Sequence, residues 1–178
     1  GGVVTDLGGF VASTYMRGIP FINIPTSLLA MVDASVGGKT GVDLGALKNL
    51  VGVINNPKGV LIYPDFLATL PTEELRSGMA EMFKHGLISD EAYWHKMCNL
   101  SELTEAHLGS LIYESVVIKN KVVTQDPTEK GLRKTLNYGH TLGHAIESYC
   151  LQNPNRERLL HGEAIAIGMV LATYLSVK

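Results

Sequence analysis

Pro71-Thr72-Glu73-Glu74-Leu75 divides the chain into two kinds of sequence. A threonine suited to capping is followed by two acids, where the first turn of a helix favours negative charge. From there on, apolar residues recur at the three- and four-residue spacing of amphipathic helices. The pattern predicts helices over 72–88, 90–97, 104–124, 137–151 and 161–176, with Asn153-Pro154-Asn155 as a breaker before the last. Before the division the sequence is glycine-punctuated and rich in β-branched residues. Phe21-Ile22-Asn23-Ile24-Pro25 and Gly59-Val60-Leu61-Ile62-Tyr63 are short apolar runs bounded by turn residues, and they read as buried strands. Residues 6–15 read as a helix and residues 37–57 as loops with a hairpin. The fold class expected is therefore an α/β first part followed by a mainly α-helical second part, joined near 65–71.

Composition narrows the function. With 178 residues, 46% of them hydrophobic, the chain can bury a sizeable core. A net charge of −2 gives no basic field for a polyanion, so no nucleic-acid partner is expected. The two cysteines, Cys98 and Cys150, form no CxxC pair, which argues against a disulfide framework or thiolate zinc site and fits a reducing cytoplasm. The apolar run over 164–175 is shorter than the roughly 20 residues of a membrane span, so a soluble protein without a membrane partner is expected. Gly1-Gly2-Val3-Val4 reads as the start of a buried element with no initiator Met, so further sequence is expected before Gly1.

Three groups of residues carry chemistry. The strongest is Gly139-His140-Thr141-Leu142-Gly143-His144 followed by His161-Gly162-Glu163. On a helix, His140 and His144 project from one face a turn apart, where two imidazoles can address one small volume. With Glu81 in Gly78-Met79-Ala80-Glu81, they offer three or four nitrogen and oxygen ligands and no sulfur, a set that suits zinc with an open position. The same spacing also occurs in solvated or core-satisfied helix pairs. His85, His95 and His107 lie among polar residues and read as surface histidines. The second group is cationic: Lys39, Lys48, Lys84, Lys119 and Arg133, several of them in glycine-rich or apolar surroundings. Asp33-Ala34-Ser35-Val36-Gly37-Gly38-Lys39-Thr40 has the ingredients of an anion loop without the spacing of a Walker motif. The third is Gly1-Gly2-Val3-Val4-Thr5-Asp6-Leu7-Gly8-Gly9, glycines ahead of a helix N-terminus that could face a pyrophosphate, or simply a tight turn.

These stretches, with Pro25-Thr26-Ser27-Leu28-Leu29-Ala30-Met31-Val32 and Leu136-Asn137-Tyr138, match the 3-dehydroquinate synthase family in order and interval. The resemblance covers essentially the whole chain. It implies that residues 1–68 are the C-terminal part of a Rossmann-like NAD-binding domain whose first strands are absent, and that residues 69–178 form a helical metal- and substrate-binding domain. It implies that Glu81, His140 and His161 hold one divalent metal, zinc or cobalt, and that His144 contacts substrate instead, which departs from the reading by spacing. Asp33, Lys39, Lys84, Lys119, Arg133 and Asn137 would surround the hydroxyls, carboxylate and phosphate of a phosphorylated sugar acid. Lys48 and Asn49 would lie nearby, and Gly1, Gly2, Asp6, Thr26, Ser27 and Lys39 would line NAD. Arg17 resembles an arginine donated across a homodimer interface. The implied reaction is a carbon–oxygen lyase step of the shikimate pathway, from 3-deoxy-D-arabino-heptulosonate 7-phosphate to 3-dehydroquinate and phosphate. A related sugar phosphate cyclase, or a non-catalytic fragment, is the alternative.

Overall fold

The computed structural model describes residues 1–44, 47–99, 105–153 and 155–178, with backbone alone at 43, 47, 48, 105 and 106. Helix is the main element and sheet is scarce. Helix α1 spans Gly2–Thr14, strand β1 Ile22–Asn23, and a π-helical turn Ala30–Ala34. Strands β2 (Lys39–Leu44) and β3 (Leu47–Ile54) form the expected antiparallel hairpin, and β4 (Gly59–Val60) pairs in parallel with β1. After a 3-10 segment at Pro64–Thr69 come α2 (Thr72–Ser89), α3 (Glu91–Cys98) and α4 (Glu105–Gln125). A 3-10 segment at Leu132–Asn137 leads to α5 (His140–Gln152) and α6 (His161–Ser176). Among the described residues no helix is long and apolar enough to cross a membrane.

The core is built where the π-helical turn meets the helices. Leu28, Met31 and Val32 pack with Met82 of α2, Tyr93 and Met97 of α3, and Leu111, Ile112 and Ile118 of α4. Asp90 caps α3 by accepting from the Tyr93 amide at 2.8 Å, and the Tyr93 hydroxyl donates to the Leu111 carbonyl at 3.0 Å. Helix α6 lies unusually close to its neighbours. A side chain at Gly162 would collide with the Ser77 carbonyl of α2, and one at Gly168 with the Gly139 carbonyl ahead of α5. Both glycines are needed for backbone approach, and together they fix His161 against α2 and α5.

Several expectations change. Helix α1 begins at Gly2 instead of residue 6, because the Gly1 carbonyl already accepts from the amides of Val4 and Thr5 at 3.1 and 3.4 Å. Thr72 is the first residue of α2, not its cap; the preceding position is Pro71, whose fixed φ suits a helix entry. The two apolar runs pair over only two residues each, and they are not buried: Ile22 is 65% exposed and Leu61 60%. Val3 and Val4 are exposed as well. Two strands cannot cover both faces of the sheet they make.

Candidate metal and substrate site

On α2, residues 81, 84 and 85 follow the i, i+3, i+4 rule and share one inward face. All three are charged or titratable and all are buried. Glu81 is 0% exposed, and a carboxylate removed from water needs compensation. Lys84 Nζ pairs with Oε2 of Glu81. The other oxygen, Oε1, has no hydrogen-bond partner and faces two imidazoles, His140 Nε2 at 3.6 Å and His161 Nε2 at 3.8 Å. Those separations exceed a hydrogen bond. They suit donors sharing one ion, since two ligands about 2.1 Å from a tetrahedral centre stand roughly 3.4 Å apart. A buried carboxylate oxygen and two ring nitrogens that converge without bonding one another fit a divalent cation.

The rings are prepared for this. His140 Nδ1 lies 3.2 Å from the Tyr138 carbonyl, which positions Nε2 toward Glu81. Burial and the nearby Lys84 ammonium push the His140 imidazole down to about 3, so it is neutral near pH 7. His144 completes a trio: its ring centroid lies 5.2 Å from that of His140 and 5.6 Å from that of His161. One nitrogen from each of these three rings falls within 4.8 Å of the others, so spacing alone correctly brought His140 and His144 together.

A charged ladder leads away from the Glu81 end. Lys84 Nζ is 4.0 Å from Asp33 Oδ1, and Lys119 Nζ donates to that same oxygen at 2.6 Å and to the Asp33 carbonyl at 2.5 Å. Burial works to raise Asp33, but Lys119 and Lys84 outweigh it and hold the carboxyl well below its ordinary range. Burial also opposes the charge on Lys84, and Glu81 and Asp33 overcome it and raise the ammonium. Farther along, burial and then Asp33 push Asp6 of α1 up to about 6. The start of α1 lies beside the loop at 26–27, where a Cβ at Gly1 would meet the Ser27 hydroxyl at 3.2 Å. Thr26 is exposed and Ser27 half-buried.

Arg133 is buried, donating through Nη2 to the Gly37 carbonyl at 2.6 Å and through Nη1 to the Pro127 carbonyl at 2.8 Å. It thereby anchors the glycine turn of the expected anion loop. Lys39, 48% exposed, pairs with Glu129, and Glu129 also accepts from Asn137 Nδ2 at 2.8 Å. A cleft of about 700 Å³ reaches this group at Glu129 and Asn137 and is otherwise lined by residues such as Ile88, Tyr138 and Thr173. Asn49 stands exposed on β3 at φ 51°. Arg17 is exposed in a left-handed turn at φ 68°. The Lys48 side chain lies outside the described residues.

His85 corrects the sequence reading. It is fully buried, not on the surface, with Nδ1 2.7 Å from Ser115 Oγ of α4. Burial and then Lys84 depress its imidazole to about 3. Its spacing of four from Glu81 was the signal available. His95 and His107 are exposed as expected. Glu129 and Glu147 were not singled out, although Glu147 follows His140 and His144 at i+7 and i+3 on the same helical face.

Residues 1–77 match the family description "3-dehydroquinate synthase N-terminal" and residues 78–178 "3-dehydroquinate synthase C-terminal". The chain belongs to the 3-dehydroquinate synthase family. It is 49% identical over 181 residues to the 3-dehydroquinate synthase of Streptococcus gordonii and 50% identical over 179 residues to that of Streptococcus pyogenes serotype M5. Each alignment covers 100% of this chain, but only 50% and 49% of the relative, so the chain spans about half the length of these synthases. Among solved structures it resembles the 2-epi-5-epi-valiolone synthase of Streptomyces hygroscopicus subsp. jinggangensis, which has NAD+ and Zn2+ bound. There the TM-score is 0.86 at 35% identity, over 99% of this chain and 51% of that one. A 2-deoxy-scyllo-inosose synthase complexed with carbaglucose-6-phosphate, NAD+ and Co2+ follows at TM-score 0.84 and 31% identity, covering 99% and 49%.

Proposed function

We propose that this chain carries the metal and substrate site and the end of the NAD domain of a 3-dehydroquinate synthase, which converts 3-deoxy-D-arabino-heptulosonate 7-phosphate to 3-dehydroquinate and phosphate. The observation that carries the reading is Glu81 Oε1, buried and turned toward His140 Nε2 and His161 Nε2, at the head of a ladder of lysines. Identity near 50% to streptococcal synthases supports the substrate. Glu81, His140 and His161 would hold one divalent metal, zinc or cobalt, and Gly1, Gly2, Asp6, Thr26, Ser27, Lys39, Lys48 and Asn49 would line NAD.

Bound, the metal and NAD would supply Lewis-acid polarisation and reversible oxidation of a secondary alcohol. The residues of the chain do the rest. Lys84 and Lys119, both buried, present positive charge to a substrate anion in a setting where little water screens it. Asp33 stands between the two ammoniums and keeps them together. Arg133, Lys39 and Asn137 form the far rim, where a phosphate or carboxylate would compete with Glu129 for Lys39 and Asn137. His144 stands beside the other two histidines and is the group proposed to reach the substrate. With the reacting groups held by fixed donors, positioning and charge stabilisation are the main contributions of the protein.

Residues 1–68 would be the remnant of a Rossmann-like NAD domain and 69–178 the helical domain, in a cytoplasmic homodimer that receives Arg17 from each partner. The likeness to valiolone and inosose synthases supports a second reading, a sugar phosphate cyclase acting on another sugar phosphate. Phosphate release from each sugar phosphate, by the full-length protein with NAD and Zn2+, separates them. Turnover of the heptulosonate phosphate alone is expected. Turnover of a different sugar phosphate alone would transfer the assignment to the second reading.

A further inference from the structure

Helices α5 and α6 bring a second carboxylate to the histidine group. Glu147 is buried on α5, and its Oε2 lies 3.6 Å from His161 Nδ1. On the opposite edge of the same ring, Nε2 faces Glu81 Oε1 at 3.8 Å. The His161 ring therefore stands between two acids, one at each nitrogen. We infer that Glu147 is a positioning residue that accepts the Nδ1 proton of His161 and so fixes the Nε2 lone pair on the ion shared with Glu81 and His140. This rests on the metal-site reading above.

The contrast with His140 gives the inference its content. That ring is aimed by a neutral acceptor two residues away, the Tyr138 carbonyl, which local backbone supplies whatever the side chains are. His161 is the first residue of α6, and its outer nitrogen instead meets a carboxylate from another helix. A carboxylate behind a ligating imidazole both orients the ring and makes its inner nitrogen a stronger donor. The 3.6 Å separation is a few tenths of an ångström longer than an N–H···O hydrogen bond, a gap that a small rotation of either side chain closes. The meeting depends on close helix contact: a side chain at Gly143 of α5 would press on the Ala164 carbonyl at 2.9 Å, so only glycine lets α5 and α6 come this near. The effect of Glu147 passes through His161.

The test uses full-length protein stripped of metal and reloaded. Zinc affinity is measured by competition with a chromophoric chelator, and the visible absorption of the cobalt-loaded form is recorded. Glu147→Gln, which keeps shape and an acceptor but removes charge, is expected to weaken zinc binding about 10–100-fold and to shift the cobalt bands. Glu147→Ala should weaken it further, while the metal-free Gln variant unfolds at the wild-type temperature. Glu81→Ala is the control and should lose the metal. Wild-type affinity and cobalt bands in Glu147→Gln, with metal lost from Glu81→Ala, would overturn the role of Glu147 alone. Metal retained at wild-type affinity by Glu81→Ala would instead overturn the metal-site reading. A Gln variant whose metal-free form is itself destabilised, with unchanged cobalt bands, would show a packing role and also reject the inference.

Discussion

Lys84 sits one helical turn after Glu81 and takes its Oε2, leaving Oε1 to the histidines. The two oxygens of one carboxylate thus serve two partners, a fixed internal cation and a site that a metal can fill. Glu81→Gln should break both at once. Taking the nearer of its two anions from a buried ammonium costs up to about 3–5 kcal/mol, read as a lower denaturation midpoint. The double variant Glu81→Gln, Lys84→Met should recover much of that stability and none of the metal. Denaturant titration and metal analysis on the same samples check both halves.

His85 gives stability a dependence on acid. Its imidazole, bonded to Ser115 and depressed to about 3, stays neutral in the fold while the unfolded chain takes up a proton below about 6.5. Between those values the unfolded state binds more protons, so stability falls as pH falls from about 6.5 toward 3. His85→Gln should flatten that limb by about one proton, visible in unfolding midpoints across the range.

Asp6 works with the opposite sign. Raised to about 6, it holds a proton in the fold at pH values where the unfolded chain has lost it. Stability therefore declines as pH rises from about 4 to about 6 and levels above that. Asp6→Asn should remove this decline, and the difference between the two curves isolates it from the His85 effect, whose slope runs the other way.

Lys39 and Glu129 are partly exposed, and their pair should contribute under about 1 kcal/mol to folding. Lys39→Ala is accordingly expected to leave the unfolding temperature nearly unchanged. If Lys39 meets a substrate anion, the same change should raise KM about tenfold or more, as loss of a charged hydrogen bond does. A KM that stays at the wild-type value would restrict Lys39 to its bridge with Glu129.

Gly162→Ala places a methyl group against the Ser77 carbonyl and must push the start of α6 outward. A destabilisation of about 1–3 kcal/mol is expected, together with weaker metal binding, because His161 moves with Gly162. Gly8→Ala, which meets nothing within 4 Å, is the matched control.

Most of the helices and the hairpin were legible because their signals are local: periodicity, a breaker at 153–155, glycines at a turn. His140 and His144 could be paired for the same reason, being one turn apart on α5. Glu81 could be set beside them only as an oxygen donor of the right kind, since no local rule links α2 to α5. His85 was misread because polar neighbours in sequence say little about what faces it in space, and the partner its ring meets in the interior, Ser115, is thirty residues away. Glu129 escaped for a similar cause: its partners Lys39 and Asn137 come from separate segments. The short strands failed differently. Their β-branched residues promised burial, which requires neighbouring strands or helices that the described residues do not supply.

Those same strands set how the chain behaves in solution. Among the described residues β1 pairs with β4 alone, so each keeps an unpaired edge, and Ile22, Ile24, Leu61 and Tyr63 stand in water beside them. Edges of this kind recruit other copies of themselves. A concentrated preparation of these 178 residues by themselves is expected to turn cloudy on warming well before its helices melt, so that colloidal behaviour, not unfolding, limits how long it can be handled.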